Sequence, residues 1–319
     1  MIDKITAAAV QATPVYLDRD ATIDKACALI DEAAVQGADL IVFGEVFVPG
    51  YPDWVWRQQP WHDGSLFGRL QEQAVVVPSP ATDRVADAAR RAGAYVAIGV
   101  DERDEHGSTL YNSLVYFGPD GSLLGTHRKL MPTGGERLVW GMGDGSGLRV
   151  HETSFGRLGG LICWENYMPL ARAAVYAQGV DVYLAPTWDN SDTWVPTLRH
   201  IAKEGCLHVI GITPCQRGSD VRAAFPGLDD LYGGDDDWLS KGNTTIVGHG
   251  GEILAGPLVG EEGIVYAELD LAAARTARRM FDPVGHYARP DVFRLDVDMR
   301  PKPAVTFDVG RERDAVDDG

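Results

Sequence analysis

Leu158-Gly159-Gly160-Leu161-Ile162-Cys163-Trp164-Glu165-Asn166 is the stretch that decides the fold: an apolar run with paired glycines, a cysteine, then residues leading to Pro169. Such a run, bounded by turn residues, reads as a buried strand over 157–162. Pro169 stands at the head of a helical pattern over 169–178, where its missing N–H costs nothing. A strand running into a helix is half of a strand–helix–strand unit, and the returning strand is expected at 182–185. The same alternation continues in both directions. Upstream, 5–10 reads as the first strand. A helix over 21–35 follows, with Ile23, Cys27, Ile30 and Ala34 on one face and Gly37 as its stop. Residues 40–43 are apolar throughout, as expected of a strand covered on both sides. A second helix is expected over 82–92, ending at Gly93, with a strand over 95–100. Runs 110–117 and 123–129 flank Gly118-Pro119-Asp120-Gly121 and form a hairpin. Downstream, strands are expected at 209–213, 244–247 and 264–269, and helices at 194–205 and 271–280.

This is an α/β pattern. No low-complexity linker interrupts it, so residues 1–299 read as a single domain. Residues 300–319 form a charged, proline-containing tail that a partner subunit would have to order.

The 319 residues are 45% hydrophobic and 24% charged, which suits a globular chain with a large core. Lys plus Arg is 29 against 46 Asp plus Glu, a formal net charge of −17. That excess repels phosphate backbones and anionic lipid, so neither nucleic acid nor a membrane surface is expected as a partner. No run approaches the roughly 20 apolar residues of a membrane span. The first residues lack the basic and apolar segments of a secretion signal, and the cytoplasm is the expected compartment. There Cys27, Cys163, Cys206 and Cys215 are thiols, with no C-x-x-C pair and no zinc spacing. Asn243-Thr244-Thr245 matches a glycosylation acceptor only by coincidence without export.

Four polar residues stand where chemistry could be done. Cys163 ends its strand at the positive end of a following helix, which would favour thiolate; a structural cysteine fits the same position. Glu45 follows the buried 40–43 run, where desolvation would raise its pKa and suit it to proton transfer, or it caps a loop at the rim. Lys129 ends the 123–129 strand and could stabilise developing negative charge, or be one more solvated cation. Glu136 follows a loop able to fold it toward Lys129, or pairs with Arg137 on the surface. Three strand ends thus supply an acid, a cation and a thiol, and carboxyl ends of strands are where open α/β sheets collect their sites.

Those segments resemble the nitrilase branch of the carbon–nitrogen hydrolase superfamily over nearly the whole chain. The matches are Phe43-Gly44-Glu45 with Pro49-Gly50-Tyr51-Pro52, and His127-Arg128-Lys129-Leu130-Met131-Pro132-Thr133 with Glu136-Arg137 and Trp140-Gly141. Further matches are Gly160 through Pro169, and Asp282-Pro283-Val284-Gly285-His286-Tyr287-Ala288-Arg289-Pro290-Asp291. The resemblance implies a catalytic set of Glu45, Lys129 and Cys163 with Glu136 as an additional acid. It also implies a four-layer α-β-β-α sandwich whose subunits pair as a homodimer or larger homo-oligomer. The activity it implies is hydrolysis of an organic nitrile to acid and ammonia through a covalent thioimidate and thioester, with no metal or cofactor. Tyr51, Trp140, Trp164, Tyr167 and Trp188 are candidate pocket residues; Trp54, Trp56 and Trp61 are assigned to a surface loop or subunit contact. Gly44 replaces a proline common in relatives, the Gly134-Gly135 loop is unusually small, and the tail after Asp291 is short for the branch.

Three alternatives carry different signatures: an amidase of the same fold, a cysteine–histidine hydrolase using His127, His200, His208, His249 or His286, and a non-catalytic assembly module. The glycine-rich 141–147 segment lacks the context of a phosphate cradle and reads as a loop. Asp235-Asp236-Asp237 reads as a solvated acidic run, not a calcium site.

Overall fold

The computed structural model describes residues 2–225, 227–234 and 238–306. In chain order the elements are β1 (Lys4–Gln11), α1 (Arg19–Val35), β2 (Leu40–Phe43), α2 (Gly64–Gln73), α3 (Pro80–Ala92), β3 (Tyr95–Arg103), β4 (Leu110–Phe117) and β5 (Leu123–Arg128). Then come β6 (His151–Thr153), β7 (Gly156–Gly160), α4 (Pro169–Tyr176), β8 (Val182–Pro186), α5 (Trp194–Gly205), β9 (His208–Ile212), β10 (Cys215–Arg217) and α6 (Gly218–Ala224). The chain closes with β11 (Trp238–Lys241), β12 (Thr244–Val247), β13 (Ile253–Leu258), β14 (Gly263–Asp270) and α7 (Leu271–Ala277).

Two six-stranded sheets form, in the orders β14-β1-β2-β3-β4-β5 and β13-β12-β9-β8-β7-β6. In the first, β1, β2 and β3 run parallel and every outer pairing is antiparallel. In the second, β7, β8 and β9 are the parallel core with antiparallel strands on both sides. The two halves therefore repeat one wiring, with α1 and α3 making the crossovers of the first sheet and α4 and α5 those of the second.

The layers follow from where each strand's side chains go. Successive residues point to opposite faces, so a strand buried on both sides feeds two cores. Ile41 and Phe43 of β2 pack with Ile23, Ile30, Val85 and Ala88 of the helices. Their neighbours Leu40 and Val42 pack instead against Leu184, Ile210 and Ile246 of the other sheet. Beyond that sheet, Tyr183 and Val209 meet Val175, Leu198 and Ile201 of α4 and α5. The result is helix, sheet, sheet, helix, the four-layer sandwich expected.

Local signals explain the helix ends. The Asp18 side chain accepts the Ala21 N–H at the start of α1. Ser79 and Thr82 close a reciprocal cap on α3 with Pro80 at its first position, as this chemistry favours. Both helices begin two residues before the expected start, and the buried stripe of α1 includes Ala26 and Ala33 in place of Cys27 and Ala34. The helix expected over 271–280 closes at Ala277, and β7 closes at Gly160, two residues short of the expected end. The α2 and α6 helices and strands β6, β10, β11 and β13 have no counterpart among the expected elements. Trp54, assigned to the surface, is wholly buried and donates to Asp63. The 141–147 loop packs against residues 298–302: Gly145 lies so close to the Asp298 carbonyl that a Cβ would stand 2.1 Å from it, and the Lys302 N–H donates to Asp144. Asp235-Asp236-Asp237 and residues 307–319 of the expected tail lie outside the described residues.

Candidate active site

Adjacent sheets that pack face to face bring their strand ends to one place. Glu45 lies two residues beyond β2, Lys129 one beyond β5 and Cys163 three beyond β7. Gly160 sits so tightly against β8 that a Cβ there would stand 2.0 Å from the Leu184 carbonyl oxygen, so glycine is what allows β7 to deliver the cysteine. Cys163 itself has φ +52°, a left-handed conformation rare for a side-chain-bearing residue. It opens a 3₁₀ turn over Cys163–Tyr167, and the Trp164 N–H, at the head of that turn, has no acceptor within it.

The four candidates meet below solvent. Lys129 Nζ donates to Glu45 Oε1 and to Glu136 Oε2, both at 2.7 Å. Ligand atoms of Glu45, Glu136 and Cys163 lie within 4.8 Å of one another. Glu45 is held from three sides: Lys129, the Asn112 amide at 2.7 Å on the same oxygen, and the Trp188 N–H at 2.6 Å on Oε2. Glu136 accepts from the Tyr51 hydroxyl and from the Thr133 N–H, each at 2.6 Å. The Cys163 sulfur receives the Thr187 hydroxyl at 3.2 Å. Three acidic or thiol ligands in one place is also a metal-like donor set, but the Lys129 ammonium already bridges its two carboxylates and supplies the cation.

The charges bias each group. Burial raises the Glu45 pKa, Lys129 opposes that and Glu136 adds to it. Burial alone would lower that of Lys129, but its neighbours Cys163, Glu45 and Glu136 outweigh it and keep the ammonium charged. The Cys163 thiol is pushed well above its ordinary range, first by burial and then by Glu45, with Lys129 opposing. This corrects the expectation that a helix end would hold it as thiolate. At rest it is a thiol with a base beside it.

A cleft of about 640 Å³ opens over Cys163. Tyr51, Trp164 and Trp188 line it, with Tyr51 and Trp188 stacked at 4.4 Å and 6°. Trp140 is not part of the lining: it is buried behind Tyr51 with its indole N–H on Asp101. Tyr167 also falls outside, borders a separate shallow pocket beside Pro169 and Thr197, and meets Trp164 edge-on. Trp56 replaces them. Assigned to a surface or subunit contact, it lines the cleft and donates to the Tyr51 hydroxyl at 3.2 Å.

Sequence reading also passed over Asn112, Thr187 and the structural use of Glu165. Glu165 is wholly buried and accepts the Ile162 N–H on one oxygen and the Leu130 N–H on the other. It thereby clamps the residue before Cys163 to the residue after Lys129. His127 completes the clamp, with Nε2 on Glu165 and Nδ1 on the Gly147 carbonyl. Both of its ring nitrogens are engaged away from the thiol. His208 faces the Asp270 carbonyl and His200 faces Glu204.

A carbon–nitrogen hydrolase family model matches residues 6–279. An aliphatic nitrilase of Sinorhizobium fredii (strain HH103) is 46% identical over 95% of this chain and 98% of its own length. Nitrilase 2 of Arabidopsis thaliana is 41% identical over 98% of this chain and 94% of its own. Among solved structures, a carbon–nitrogen hydrolase from Helicobacter pylori G27 superposes with TM-score 0.72 at 24% identity, covering 91% of this chain and 97% of its own. Strand order, the buried cluster of acid, cation and thiol, and these likenesses agree, and the chain belongs to the carbon–nitrogen hydrolase family.

Proposed function

We propose that this chain is a nitrilase, converting an organic nitrile and two waters to a carboxylic acid and ammonia. The observation that carries the reading is the convergence of Glu45, Lys129, Glu136 and Cys163, of which Cys163 and Glu136 line the cleft and the other two lie buried against them; the names of the two relatives above support the choice of nitrile. Glu45 takes the thiol proton as Cys163 attacks the nitrile carbon, and returns it to the nitrogen, leaving a thioimidate. Glu45 then deprotonates a water that adds to that carbon. Lys129 and the Trp164 N–H face the charge that develops in the tetrahedral species. Collapse expels ammonia, its nitrogen taking the proton held by Glu45 and the one left on the added oxygen, and leaves a thioester; a second water, deprotonated by Glu45, releases the acid, and that proton returns to sulfur. Glu136, bonded to Tyr51 and Lys129, holds the ammonium in place. The lining of Trp56, Trp164, Trp188, Met131 and Met168 suits an uncharged, apolar R group.

Turnover of paired nitriles and amides, with ammonia and acid quantified, tests the reading; consumption of amides alone would overturn it. The family match over 6–279 supports reading residues 1–299 as one domain. A homo-oligomer is part of the proposal, as the family resemblance implies, and sedimentation measures it. No helix among the described residues is long and apolar enough to cross a membrane.

A further inference from the structure

We infer that Thr187 is a further catalytic residue, its hydroxyl donating a hydrogen bond to the Cys163 sulfur whenever that sulfur carries negative charge. Thr187 follows β8, the strand whose place in the second sheet matches that of β2, which delivers Glu45, in the first. Its side chain is wholly buried and its oxygen lies 3.2 Å from Sγ. The Asp189 N–H donates to the same oxygen at 2.9 Å. That bond occupies an acceptor site and leaves the hydroxyl proton to point at sulfur. The next residue, Trp188, gives its N–H to Glu45. Consecutive residues of one loop therefore address the nucleophile and its base.

A hydrogen bond to a charged acceptor is stronger than one to a neutral acceptor, so the Thr187 bond strengthens when Glu45 removes the thiol proton. It strengthens again when the thioester carbon–sulfur bond breaks and sulfur leaves as thiolate. Thr187 neither gains nor loses a proton in either step. The assignment rests on Cys163 being the nucleophile proposed above.

The test reads sulfur directly. The rate of iodoacetamide alkylation, followed by mass spectrometry of the Cys163 peptide, is measured against pH for the wild type, Thr187→Val and Thr187→Ser. Glu45, Lys129, Glu136 and Tyr51 face the thiol equally in all three. Thr187→Val should move the alkylation midpoint to higher pH and slow alkylation at neutral pH roughly 10- to 100-fold, with a parallel loss of kcat. Thr187→Ser should stay near the wild type. Thr187→Ala serves in place of a Thr187→Val protein that does not fold. A valine or alanine profile superimposed on the wild type would overturn the assignment, as would a serine variant equally impaired. Because alkylation needs no substrate, a chain that hydrolysed amides and not nitriles would leave this result unaffected.

Discussion

Lys129 Nζ lies 2.7 Å from Glu45 Oε1, and neither side chain exposes any surface to solvent. Buried pairs of this kind add little net stability over apolar residues, but breaking one strands the other charge. Here Lys129 also neutralises Glu136. Lys129→Met should therefore cost about 3–5 kcal/mol in urea unfolding and lower kcat by about 10²–10³. A stable, half-active variant would show that the ammonium does neither job.

Glu45 acts as a base only when ionised. Its pKa lies above the ordinary 4.5 because burial outweighs Lys129, so kcat/KM should fall on acidification at a higher pH than an ordinary carboxylate would give. The Asn112 amide stabilises the ionised form. Asn112→Leu removes that bond and should displace the acid limb further upward, in a pH profile of kcat/KM. A limb that stays put or moves down would contradict the assignment of Glu45 as base.

The His127–Glu165 clamp makes a prediction about stability. Burial lowers the His127 pKa, but Glu165 more than reverses this and the net shift is upward from 6.5. A raised folded pKa stabilises the protein below the unfolded value, and the gain is lost as pH rises through the folded one. Glu165 is opposite in sign: burial raises it, while His127 and the two backbone N–H groups bring it below the ordinary value. Its contribution is present above that value and lost as pH falls through the folded pKa. The stability difference between wild type and His127→Gln should therefore shrink as pH is raised from the ordinary histidine value into the alkaline range. Chemical denaturation at a series of pH values measures it, and a difference that grew with pH would be inconsistent with a charged clamp.

Gly134 and Trp56 set the cleft wall. Gly134 has φ +51°, and a Cβ there would stand 3.0 Å from two atoms of the Trp56 ring. Gly134→Ala should cost about 1–3 kcal/mol in backbone strain and displace the indole that bonds Tyr51, raising KM. Trp56→Ala removes the clash. The cost of Gly134→Ala in that background should drop by at least about 0.5 kcal/mol, as expected for residues in contact. Strict additivity in denaturant unfolding would mean that the two side chains do not meet.

The central strands and their joins were legible because two-sided burial leaves unbroken apolar runs such as 40–43. The cation could be picked out because it ends the second arm of the 110–129 hairpin, and acid and thiol because each follows such a run. Thr187 follows one too, beyond β8, and the same positional logic applied to hydroxyls would have found it. Glu165 was quoted only as part of a motif; its role depends on Leu130, 35 residues away, which local pattern does not reveal. Trp56 is half exposed and half cleft wall, a division set by how its loop folds over Gly134. The α2 helix offered only Leu66 and Leu70 as buried residues, too sparse a stripe to stand out. The thiol's raised pKa comes first from its burial and then from Glu45, which the tertiary fold sets, whereas sequence position pointed to a helix end.

Cys163 as the site of covalent attachment is the claim on which the rest depends. Acid quenching of the enzyme during turnover of a slowly hydrolysed nitrile, followed by peptide mass spectrometry, tests it most directly. The account predicts an acyl or imidate mass increment on the peptide carrying Cys163, absent from Cys163→Ala, which is also inactive. An increment on Cys27, Cys206 or Cys215 instead, or nitrile hydrolysis persisting in Cys163→Ala, would contradict it.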